Sequence, residues 1–200
     1  MRVLVACECS GVVREAFRSR GHEAWSADIK PAEDGGPHIQ GDVLAILDHG
    51  WDLMIAHPPC THLSVSGARH FAAKIADGRQ QSAVEFFRAM LGAPIPRVAV
   101  ENPVGIVNTT VRPPDQIIQP YQFGDRATKT TCLWLRGLPP LLSFGGEVAG
   151  RGEHITFKSG KRMSKWMADA LRLSPEERST VRSRTFPGIA AAMADQWGSL

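Results

Sequence analysis

Two short stretches hold side chains able to do covalent chemistry: His57-Pro58-Pro59-Cys60 and, about forty residues later, Val100-Glu101-Asn102-Pro103-Val104-Gly105. Each follows an apolar, strand-like run, residues 53–56 before the cysteine and 98–100 before the glutamate. Both reactive groups therefore emerge where strands end. In an open α/β sheet that is where loops of neighbouring units face each other across a crevice. A thiolate is a strong nucleophile near neutral pH, and a nearby carboxyl group held protonated by burial or by an electron-rich substrate supplies a proton. Such a pair suits covalent attack on a heteroaromatic ring. Taken singly the motifs say less, since a lone cysteine is commonly a small core residue and Glu-Asn-Pro marks a strand end and turn.

The elements that must position this pair alternate. Residues 2–7 read as a buried strand, 11–20 as a helix ended by Gly21, and 22–28 as a second strand ending in Asp28. A short strand near 37–40 leads through Gly41-Asp42-Val43 to a helical turn at 44–49 and a strand at 51–56. Residues 80–91 form a helix with Val84, Phe87, Met90 and Leu91 on its apolar side. Strand candidates follow at 116–119 and 131–135, and helices at 164–171 and 188–197, with a further helical turn begun by Ser174-Pro175-Glu176-Glu177. The pattern predicts an α/β fold, a doubly wound, mainly parallel sheet of about seven strands. Residues 138–162, rich in Gly and Pro, break the rhythm as a loop or hairpin excursion. Residues 61–79, directly after the nucleophile and poor in core formers, are expected to be a mobile loop closing over the substrate.

Two hundred residues with 43% hydrophobic content suffice for one domain spanning 1–200. No apolar run is long enough to cross a membrane, and the N-terminus enters a strand without a signal-peptide layout, so the expected location is the cytoplasm, with no membrane partner. Cysteines 7, 9, 60 and 132 form neither a metal-type CxxC pair nor a disulfide framework; Cys60-Thr61-His62 lacks further ligands for zinc. Net charge is +3, but residues 151–184 hold nine Lys or Arg against four Asp or Glu, so that segment is +5 and the rest −2. With Phe157 and Trp166 among them, these cations fit a surface meeting phosphates as well as a solvated helix face.

The order of motifs resembles the DNA (cytosine-5) methyltransferase family, specifically its compact phage and prophage members, through most of the chain. The resemblance implies a Rossmann-like S-adenosylmethionine-dependent methyltransferase fold, with 138–162 as a minimal target-recognition insertion and 185–200 as a terminal helix returning to the donor pocket. It implies that Cys60 attacks carbon 6 of a cytosine flipped out of DNA while Glu101 bonds the ring near nitrogen 3. Addition makes carbon 5 electron-rich enough to accept a methyl group. Arg126 and Lys129, in Gly124-Asp125-Arg126-Ala127-Thr128-Lys129, match in character the family's arginines that meet the target base and its phosphate. Arg126 is thus expected to be catalytic, and Pro59, Ser64, Asn102 and Lys129 to contact the substrate. The donor implied is S-adenosylmethionine, held by Cys7, Cys9, Ser10, Gly11, Asp28 for the ribose, Ile29, Asp42 for the adenine amino group, Val43 and Pro58.

The chain also departs from that family. Cys7-Glu8-Cys9-Ser10-Gly11 stands where Phe-x-Gly-x-Gly-Gly is usual, putting Glu8 beside the expected methionine end of the donor. His57 replaces a glycine and Thr61 a glutamine, while Ser64 and Gly67 stay in register. The expected partner is DNA, met by the 151–184 surface; oligomeric state is open, a monomer being the expectation. Two rivals stand beside this reading: a pyrimidine C5-modifying transferase acting on free nucleotide, on RNA or with a modified donor, and an inactive DNA-binding module of the same fold.

Overall fold

The computed structural model describes residues 1–143 and 149–200. Its centre is built by strands whose every side chain is buried: Val3–Ala6 in β1 (Arg2–Ala6), all of β4 (Leu53–Ala56), and Val98–Val100 in β5 (Arg97–Asn102). Strands buried on both faces must be covered on both, which is why they read as continuous apolar runs. Between β1 and β4 the chain forms α1 (Val12–Arg18), β2 (Glu23–Asp28) and β3 (His38–Gln40). The second half adds α2 (Phe71–Ala76), α3 (Arg79–Leu91), α4 (Val107–Thr110), β6 (Gln116–Ile118) and β7 (Thr131–Arg136). It closes with β8 (His154–Thr156), β9 (Arg162–Ser164), α5 (Lys165–Ala170), α6 (Pro175–Ser183) and α7 (Pro187–Trp197).

Strand order is β3-β2-β1-β4-β5-β7-β6, with β7 antiparallel to both its neighbours and the other pairings parallel. The doubly wound, seven-stranded mixed sheet expected from the sequence is present. Alternation along the strands divides the core into two layers. Leu4, Ala6, Met54, Val98, Val100 and Trp134 pack with Val84, Phe87 and Met90 of α3, where Phe87 meets Trp134 edge-on at 5.0 Å. Val3, Val5, Leu53, Ile55, Ala99 and Leu133 pack with α1 and with Ile189, Met193 and Trp197 of α7 on the other face. Each fully buried aliphatic chain contributes about 1.5–3 kcal/mol. The neighbours β1 and β4 lie where the order of strands reverses, so the crevice belongs at their carboxyl ends.

Two segments differ from expectation, and a third, the hairpin excursion, agrees with it. Residues after the nucleophile are folded, as a 3-10 helix at Val65–His70 followed by α2, and buried Lys74 reaches back to donate to the Thr61 carbonyl at 2.6 Å. The turn begun at Ser174 extends into a full helix, α6, whose capping box closes between Ser174 and Glu177 with Pro175 in the first turn. The excursion at 138–162 holds β8 and the first residue of β9, a hairpin outside the main sheet; its residues 144–148 lie outside those described.

Candidate active site

The strand β4 ends because Pro58 and Pro59 have no amide hydrogen to continue its ladder; the last bond is from His57 N–H to the Ala6 carbonyl, at 2.9 Å. The chain then turns, and the Cys60 carbonyl accepts from Leu63 N (3.0 Å) and Ser64 N (2.9 Å). This turn is stitched to the one that follows β5. Asn102, 1% exposed, donates its side-chain amide to the Pro58 carbonyl at 2.8 Å, Ile106 N donates to Leu63 O at 2.9 Å, and Ser64 bridges Gly105. The Ala56–Val100 register sets His57 beside Glu101, and their side chains meet at 3.0 Å between Nδ1 and Oε2. Both are close to buried, with side-chain exposures of 10% and 12%.

Charge in this pocket is coupled. Burial pushes the Glu101 carboxyl up, but the hydrogen bond from His57 and the charges of Lys129 and His57 outweigh it and hold the acid below its ordinary range. The protein thus carries Glu101 as a carboxylate that accepts from the His57 Nδ1–H, correcting the expectation of an acid kept protonated by burial. Cys60 is exposed, yet the protein around it raises its thiol, first by desolvation and then by the Glu101 charge. Lys129, the residue's own backbone amide and Arg182 pull it down, short of cancelling the rise. Lys129 itself is anchored by its Nζ to the Arg184 carbonyl at 3.3 Å.

A second cluster lies at the ends of β1 and β2. Cys7 takes a left-handed conformation (φ 59°), and its thiol is pushed up to about 12 by burial and by the charges of Asp28 and Asp42. Those three expected donor ligands thus converge. One oxygen of each carboxylate is used locally, Asp28 Oδ1 by Lys30 N (2.9 Å) and Asp42 Oδ1 by Leu44 N (3.0 Å), leaving the other for a ligand. Ile29, 76% exposed beside Asp28, offers an apolar face. Glu8 does not add its charge to this space as expected. It is 5% exposed and accepts from Val13 N (2.8 Å) and Arg14 N (3.2 Å), capping the first turn of α1. Ser10 bonds Glu8, and Cys9 bonds Glu33, which is paired with Arg184. The segment before α7 is thus joined through Arg184 to Glu33 and, by way of Glu33, to Cys9.

Other expected contacts are spent on the fold. Gly11, Val43 and Pro58 are buried, and Ser64 is buried with its hydroxyl on Ser66 N and Ser66 Oγ, while Pro59 is exposed beside Cys60. Asn102 holds the nucleophile's turn, so its amide is not free for a substrate. Arg126 is exposed and lines an open cleft of about 380 Å³ with Gly152, Glu153, Lys165, Trp166 and Asp169. Lys129 is a cation whose charge reaches both Cys60 and Glu101, and Arg182, expected only as part of the 151–184 basic surface, reaches Cys60. The end of β9 and the start of α5 are tied to this region by Ser164 Oγ (3.2 Å) and Trp166 Nε1 (3.3 Å), both donating to the Thr128 carbonyl. Among the described residues, no three His, Cys, Asp or Glu side chains gather as metal ligands would, and no helix is long and apolar enough to cross a membrane.

No family model and no curated protein matches the chain. Among solved structures it is similar to the Entamoeba histolytica methyltransferase EhMeth, at 16% identity and a TM-score of 0.50, over 85% of this chain and 59% of that one. It is also similar to an E. coli prophage protein assigned as a DNA modification methyltransferase (17% identity, TM-score 0.48, covering 68% and 46%). A substituted Spodoptera frugiperda DNMT2 gives 14% identity and a TM-score of 0.48 over 76% of this chain and 57% of that one. The chain spans about half the length of these structures. The strand order and the likeness to EhMeth identify the fold as the Rossmann-like fold of methyltransferases.

Proposed function

We propose that residues 1–200 act as one catalytic unit, a DNA cytosine-5 methyltransferase using S-adenosylmethionine. The observation that carries this reading is the coupling of Cys60 to Glu101, a solvent-reachable thiol and a carboxylate at the ends of adjacent parallel strands, tied together by Asn102. Cys60 sulfur bonds carbon 6 of a flipped-out cytosine, and the ring's electrons shift through carbon 5 toward nitrogen 3, which takes a proton. Glu101 faces the nitrogen edge and stabilises that protonated ring, an interaction strongest after addition. Loss of the carbon 5 proton later expels the thiolate. Cys7, Asp28, Ile29 and Asp42 fit the donor: two carboxylates, each with an oxygen to spare for hydroxyl or amino groups, flank an exposed apolar side chain suited to a flat ring. When bound, the donor supplies the methyl group.

Lys129 and Arg182 offset the charge that a thiolate adds beside Glu101. The exposed cations Lys158, Lys161, Arg162, Arg172 and Arg182 form the DNA-facing surface, repaying part of the roughly few kcal/mol that extruding a base costs. Mass spectrometry of nucleosides from DNA of expressing cells tests the reading. 5-Methylcytosine that disappears with Cys60→Ser supports it. A different pyrimidine adduct, or modification confined to RNA or free nucleotide, favours the broader C5-transferase, and no modification with retained DNA binding favours the silent module.

A further inference from the structure

His57 is where this chain places a large titratable side chain at a strand end whose only backbone duty is the Ala6 ladder bond. Its ring is enclosed, Nδ1 is committed to Glu101, and Nε2 is buried without a partner among the described residues. A residue serving the turn alone needs no imidazole there, and an enclosed ring nitrogen without a partner is the kind of cost that functional sites carry. We propose that His57 is a positioning residue for Glu101, occupying Oε2 so that a single carboxylate oxygen is left for the base. The inference rests on the cytosine reading above.

The consequence concerns the proton. As the Cys60 sulfur bonds carbon 6, the thiol gives its proton to water and the ring nitrogen takes one from water, so uptake and release cancel and Glu101 remains a carboxylate. The groups facing the imidazole–carboxylate pair are Cys60 after β4, Cys132 on β7, Lys129 ahead of β7 and, toward the thiol, Arg182 of α6. With His57 removed, burial would act on Glu101 against Lys129 alone.

The test is a carboxyl carbon-13 NMR titration of Glu101, assigned by Glu101→Gln, in the parent, His57→Ala and His57→Gln proteins. It is paired with the rate of covalent capture on DNA containing 5-fluorocytosine. The Glu101 midpoint should rise by about one pH unit or more in His57→Ala and stay near the parent value in His57→Gln, whose amide can still donate. Capture at saturating DNA should slow by about tenfold or more in His57→Ala, recover in part in His57→Gln, and show little change in half-saturating DNA. An unmoved midpoint in His57→Ala, or a moved midpoint with an unchanged capture rate, overturns the proposal. Absence of capture by the parent protein, with the pairing intact by NMR, overturns the cytosine reading and the catalytic sense of His57 with it.

Discussion

Replacing Asn102 probes the joint between the two reactive turns. Its amide donates to the Pro58 carbonyl at 2.8 Å in a place where both residues are buried. In Asn102→Ala that buried carbonyl loses its donor, which costs about 1–3 kcal/mol. Part is returned, because the Asn102 Oδ1 is itself buried without a partner and its removal relieves an unsatisfied acceptor. The net loss is about 1–2 kcal/mol, read as a fall of about 0.5–1 M in the urea midpoint with the slope unchanged. The rate should suffer more than the stability. The Pro58 carbonyl is two residues from the nucleophile, and a displacement of about 1 Å in a reacting atom costs about a hundredfold. Capture on 5-fluorocytosine DNA should therefore slow by tens-fold at temperatures where the variant is fully folded. Asn102→Asp sets a carboxylate oxygen against the same carbonyl and should cost more than the alanine, about 3 kcal/mol or above. Equal stability of parent and alanine variant with an unchanged capture rate, or an aspartate variant as stable as the alanine one, would refute the reasoning.

Lys129→Met removes the cation that lowers both the Cys60 thiol and the Glu101 carboxyl, so the thiolate fraction falls at a given pH. Iodoacetamide labelling at residue 60, followed by peptide mass spectrometry, should slow roughly threefold near neutrality and recover as pH is raised; an unchanged rate would place the lysine's influence elsewhere. A side chain on Gly188 would run into the Phe123 carbonyl and disturb the 2.8 Å bond from Gly188 N to Asp125, so Gly188→Ala should lower stability by about 2 kcal/mol in thermal unfolding. Changing Lys161 and Arg162 to Gln should flatten the dependence of log affinity for duplex DNA on log salt by up to about two; an identical slope would remove the hairpin from the DNA face.

What the sequence made legible is what local pattern encodes. The buried strands β1, β4 and β5 announce themselves as apolar runs, α3 by its spacing of Val84, Phe87 and Met90, and the ends of strands by Pro58, Pro59 and Pro103. From these alone Cys60, Glu101, Asp28 and Asp42 fall on one edge of the sheet. Much of what the sequence did not reveal depends on contacts across long separations. Asn102 and Pro58 are 44 residues apart, Asp125 caps α7 across 63, and Arg182 reaches Cys60 from the far end of the chain. Glu8 looked like a charge facing the donor because nothing in its neighbours reveals which way the side chain turns; the amides of α1 claim it.

The electrostatics impose an order on events. A free carboxylate at residue 101 repels a thiolate at residue 60, which is why Glu101 raises the Cys60 thiol even though Lys129 and Arg182 stand by. Before a base arrives the pocket therefore favours one negative charge, on the acid, with the sulfur protonated. In the proposed reaction a ring that takes up a proton at its nitrogen edge as the sulfur adds would neutralise the field of Glu101 and so remove the second of the two influences that raise the thiol. On that reading base binding and thiol ionisation would be linked, the nucleophile being formed when there is something to attack. The raised Cys60 thiol should accordingly react slowly with hydrogen peroxide in the free protein, because oxidation needs the thiolate; oxidation as fast as that of a free cysteine would refute this.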